Sequence, residues 1–101
     1  MERVQLERDL TAVASHLARA RDELSLVTDQ LSALSDEAHT ARLRAMMSEI
    51  PQAGIPYERV QAHLETLQVA RDSVGHTITQ LENVHNELLE QLLALDIRSS
   101  T

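Results

Sequence analysis

Apolar residues recur along this chain at heptad spacing, on two arms separated by Ile50-Pro51-Gln52-Ala53-Gly54-Ile55-Pro56. On the first arm the ladder alternates steps of four and three: Leu6, Leu10, Val13, Leu17, Ala20, Leu24, Val27, Leu31, Leu34, Ala38, Ala41 and Ala45. On the second arm Val60, Leu67, Val74, Leu81, Leu88 and Leu95 return at every seventh residue. Such a repeat paints one apolar stripe along a helix, and the stripe leaves water only by packing on another helix. The pattern therefore predicts an all-α fold, an antiparallel two-helix coiled-coil hairpin.

Proline sets the expected boundaries. Pro51 cannot donate to a helical ladder and biases Ile50 away from helical geometry, so helix 1 is expected over about 2–49. Pro56 suits the start of a helix, and Glu58 is expected in its first turn, facing the positive end of the helix dipole. Helix 2 is expected over about 56–97, with a hinge at 50–55 and a polar tail at 98–101, the whole of 1–101 forming one hairpin domain. So short a connection joins antiparallel neighbours. Each arm would extend roughly 60–70 Å at 1.5 Å per residue.

Composition narrows the class. Tyr57 is the only aromatic residue among 101, and there are two Gly and two Pro, which favours aliphatic helix packing over a sheet core. All nine basic residues are Arg, a mark of coding bias. The formal net charge of −7 opposes nucleic-acid binding, because neutralising phosphates needs a basic surface. The absence of cysteine removes disulfides, thiolate ligands and cysteine nucleophiles. No stretch approaches the ~20 apolar residues of a membrane span, and the charged amino terminus is unlike a signal peptide, so a cytoplasmic location without membrane contact is expected.

A lone hairpin of this size buries one stripe per helix, and small scaffolds of this kind often gain stability by associating. Extra apolar residues are available for that. Near the hinge, Leu43, Met46, Met47 and Ile50 lie off the ladder, joined by Ile55 and Tyr57. Near the carboxyl end, Leu89, Leu93 and Ile97 form a second row at spacings of four. A homodimer forming a four-helix bundle is the expected assembly, with a different protein partner as the competing one. Acidic residues dominate between Arg71 and Arg98, where Glu87 and Glu90 could receive a basic partner.

The second helix carries the irregularities. Its remaining seam positions read Tyr57, Leu64, Arg71, Ile78, His85 and Leu92, so Arg71 and His85 interrupt an aliphatic series. Polar seam residues lower stability and can fix register or partner number. The alternative is that both lean to the rim while Ala70 and Val84 turn inward. Gly75 costs ~1 kcal/mol relative to Ala in mid-helix, and close approach of another helix is the expected reason for it.

Catalytic chemistry finds little footing. Asp36-Glu37-Ala38-His39 spells a helicase-like box without the Gly-rich phosphate loop that such a box requires. Glu82 and His85 have Glu-x-x-His spacing, as in di-iron bundles, which also need a second such motif and two further inward Glu residues. Folding about residue 53 sets the nearest counterpart, Asp36-x-x-His39, opposite roughly 67–70, so no metal or cofactor is assigned. His16, His63 and His76 share no ligand spacing and read as surface or rim residues.

The stretch Asp36-Glu37-Ala38, Ala41-Arg42-Leu43-Arg44-Ala45, Ser48-Glu49 and Pro51 resembles a segment of small, uncharacterised helical-hairpin proteins of actinobacteria. The resemblance covers the hinge half of helix 1 and implies a hairpin but no activity. Length and layout are also similar to small secreted hairpins that pair as four-helix bundles, but their hinge Trp-x-Gly is absent here. No Glu begins the Glu-x3-Ser-x2-Arg-x3-Gln-x3-Asp motif of the coiled-coil anti-sigma factors that bind a cyclic dinucleotide. The leading expectation is a non-enzymatic interaction or scaffold protein acting through helix–helix association. The alternatives are a regulator that sequesters a basic partner such as a transcription factor, and a metal- or small-ligand-binding bundle around Glu82 and His85.

Overall fold

A computed structural model describes residues 2–48 and 54–100, with side chains from Tyr57 onward in the second segment. Two helices, α1 (Glu2–Met47) and α2 (Gly54–Ser100), form an antiparallel hairpin with no strand among the described residues. Every ladder residue of α1 from Leu6 to Ala45 is buried or half-buried, and Val60, Leu67, Val74, Leu81, Leu88 and Leu95 of α2 are half-buried. The deepest include Leu17 at 5% exposure and Ile78 at 8%. Burying a side chain of that size stabilises by about 1.5–3 kcal/mol, so the seam carries the fold.

The helix ends differ from the expected boundaries. α1 stops at Met47, and Ser48 is no longer helical, while Glu49 and the hinge residues 50–53 lie outside the described residues. α2 begins at Gly54, two residues before Pro56. Pro56 is tolerated there because the first four N–H groups of a helix have no intrahelical acceptor. The earlier start puts Glu58 beyond the first turn, which holds no acidic residue. At the other end residues 98–100 are helical rather than a tail, and the Ser100 hydroxyl donates to the Ile97 carbonyl at 2.9 Å. Arg44 and Arg98 in the two last turns complement the negative helix ends. Thr11, Thr40, Thr66 and Thr79 each donate to the carbonyl four residues earlier, which meets their hydroxyl demand without leaving the helix.

Contacts divide the chain into two compact units. A terminal unit joins Met1–Glu23 with Val74–Thr101, and a central unit comprises Leu24–Ser73. In the central unit Ala38, Ala41 and Ala45 replace larger ladder residues, and half-buried Tyr57 stands beside Ala38, His39, Arg42 and Gln61 at a hollow of about 200 Å³. His63 shares another hollow with Gln30, Ala33, Leu34, Glu37 and Leu67. Residues 37–39 thus stand level with Tyr57, Gln61 and His63, and the expected pairing with 67–70 is corrected by half a dozen residues.

The two polar seam positions of α2 part company. Arg71 is exposed and its guanidinium lies 3.3 Å from the Asp72 carboxylate, while Ala70 is half-buried beside it. His85 keeps its half-buried place in the seam, and Val84 is exposed at 42%. A flexible guanidinium reaches water from a seam position by swinging its long stem. The imidazole is too short to do so. Gly75 has open space around it, since a Cβ added there meets nothing within 4 Å, so close helix approach is not its role within the hairpin.

Candidate interaction surface

In the terminal unit the exposed Val4, Leu89 and Leu93 share one flank, while Val84, directly before seam residue His85, borders the other. In α2 the residues directly after Leu81, Leu88 and Leu95 are Glu82, Leu89 and Asp96. Those directly after His85 and Leu92 are Asn86 and Leu93. The equivalent residues of α1 are Val4, Glu7, Thr11, Ala14 and Arg21. In an antiparallel pair these positions border the same side of the seam. The side chains agree: Ala14, Leu17 and Arg21 of α1 line one hollow of about 230 Å³ with Glu82, His85 and Asn86 of α2.

On this flank Leu89 is 44% exposed, Leu93 60% and Val4 45%, and Ile97 at 58% lies at its outer edge. On α1 an open hollow of about 410 Å³ is lined by Val4, Glu7, Arg8 and Thr11. Arg3 and Asp96 form an ion pair across the two helices near the same end. Both partners are about half exposed, so the pair contributes roughly 0–1 kcal/mol and acts mainly as a marker of register. Together these contacts set Arg3 level with Asp96, and Ala14 and Leu17 level with Asn86 and His85.

The other sequence-singled residues fall elsewhere. Leu43, Met46 and Met47 are exposed in the central unit. Ile50 and the side chain of Ile55 lie outside the described residues, and Tyr57 is half-buried. Glu87 and Glu90 are exposed on α2. Glu82 and His85 do share a hollow, but Arg21 lines it too, and a guanidinium there opposes a metal cation. Among the described residues no group of three or more His, Asp or Glu is placed to hold a metal ion.

Sequence reasoning missed Val4, Thr11 and Arg21. Their signal was present in the heptad count, since each directly follows a seam position. It becomes meaningful only once the register of α1 against α2 puts them beside Leu93, Leu89 and Glu82. No helix among the described residues is long and apolar enough to cross a membrane. No protein-family model, curated protein or solved structure matches this chain.

Proposed function

We propose that this protein is a non-enzymatic helix–helix association module that works in the cytoplasm through the flank of its terminal unit. The observation that carries the reading is the set of Leu89 and Leu93 beside Val4, large apolar side chains left in water on one flank of the hairpin, with Ile97 bordering them. Contiguous exposed apolar surface of this kind marks association sites, and helices recognise one another through rows at such spacing. Reversing Leu89 and Leu93 to Asp and measuring mass by light scattering after size exclusion tests it. The expected result is an assembly for the natural sequence and a monomeric hairpin of equal helicity for the variant. A variant that assembles like the natural sequence overturns the reading.

A second reading uses Glu87 and Glu90, which are exposed on α2 and form no ion pair among the described residues. They suit a regulator that captures a basic protein such as a transcription factor, where acidic charge speeds encounter. Loss of a basic partner from a pull-down when both are reversed to Arg would support it, and undiminished capture would remove it.

A further inference from the structure

The association flank carries two complementary pairs, each split between α1 and α2. This inference rests on the association reading above and adds the identity and orientation of the partner. The first pair is electrostatic. Arg21 on α1 and Glu82 on α2 line the same hollow, and among the described residues neither side chain has a hydrogen bond or ion pair. The second is one of shape. The shallow groove formed by Val4, Glu7, Arg8 and Thr11 belongs to α1, and the exposed Leu93 and Ile97 belong to α2 near the level that the Arg3–Asp96 pair sets.

Symmetry decides what can satisfy both pairs at once. A two-fold axis running along the helices lays α1 of one copy over α2 of another and keeps every residue at its own level. Arg21 then meets Glu82 of the second copy, Leu93 and Ile97 enter the Val4–Thr11 groove of the second copy, and each contact occurs twice. A two-fold axis across the helices stacks α1 on α1 and reverses the levels. With α1 on α1 and α2 on α2, neither pair, each split between α1 and α2, is matched across the interface. We propose that the flank is covered by a second copy of this chain, in parallel orientation, with reciprocal Arg21–Glu82 ion pairs across the interface.

Charge exchange tests the geometry. Arg21→Glu places two acidic contacts across the interface in place of two ion pairs, and Glu82→Arg places two basic ones. Each single variant is expected to raise the dimer dissociation constant about tenfold or more, read by sedimentation equilibrium, with helicity unchanged by circular dichroism. In an equimolar mixture of the two variants, the carboxylate introduced on α1 of one chain faces the guanidinium introduced on α2 of the other. The untouched Glu82 of the first chain faces the untouched Arg21 of the second, so the mixture should recover the natural affinity as a heterodimer. Repulsion within a chain persists in that mixture, so recovery arises only between chains. A natural-sequence dimer that is indifferent to both reversals, or weakened by them without recovery on mixing, overturns the parallel register. In those two cases dissociation by the Leu89→Asp, Leu93→Asp variant still upholds the flank as an association site. A natural sequence that stays monomeric while a different protein occupies the flank overturns the second copy as occupant and leaves the association reading standing.

Discussion

The terminal and central units are built from the same two helices and the same heptad rule, yet they spend their surplus apolar residues differently. In the terminal unit Val4, Leu89 and Leu93 stand on one flank with Ile97 at its edge, and Val84 alone of the exposed large apolar residues described there borders the other. In the central unit Leu26 and Met47 lie on the flank opposite to Met46, and Leu43 and Val69 take the outward heptad position that Ile97 takes in the terminal unit. Scattered apolar residues are ordinary on any protein surface, whereas a contiguous row is a site. The seams differ in the same sense. The terminal seam uses Leu6, Leu10, Val13 and Leu17 against Ile78, Leu88, Leu92 and Leu95, and the central seam thins to Ala38, Ala41 and Ala45 around Tyr57. A unit with a bulky seam can carry an apolar flank without exchanging one for the other.

The contrast can be broken from the core outward. Leu17→Ala, which empties the most buried leucine of the terminal unit, should lower unfolding free energy by about 2–5 kcal/mol in urea titration monitored by circular dichroism. A loss below about 1 kcal/mol would mean that the terminal seam is loose. Next in size, Leu89→Asp with Leu93→Asp should weaken association about a hundredfold, and Met46→Asp with Met47→Asp in the central unit should leave it unchanged. Equal effects from both pairs would erase the distinction between flank and scatter.

Smaller effects sharpen the picture of α2. His85→Leu restores an aliphatic residue to a half-buried seam position and should raise stability by roughly 1–2 kcal/mol. Arg71→Leu, at the equivalent position but exposed, should change it by less than about 0.5 kcal/mol. Similar gains at both sites would contradict the different burial of the two residues. Gly75→Ala should add up to about 1 kcal/mol, because its methyl group meets no neighbour within the chain. The smallest change is expected from Asp96→Asn, about 0–1 kcal/mol, since the ion pair with Arg3 is half exposed.

Much of the fold was legible because the seam obeys a strict rule. Each ladder residue of α1 is shielded, and the break near Pro51 separates the helices. The ends were less legible. Local signals such as Pro56 and the Ser-rich tail compete with one extra turn of hydrogen bonding, and the longer helix won at both ends of α2. The flank was legible only by half. Leu89, Leu93 and Ile97 stand out in sequence through their spacing, but Val4, Thr11 and Arg21 look like ordinary surface residues until α1 is set beside α2.

The heptad pattern by itself determined that this chain makes two long helices and which stripe of each is shielded, because a period of seven permits only one buried face per helix. It could not determine the level at which one helix meets the other, since a uniform ladder fits itself at every heptad step. That choice belongs to the tertiary structure, where the packing of particular side chains selects one register. The register keeps His85 in the seam, lets Arg71 escape to water, and assembles residues from both ends of the chain into a single flank.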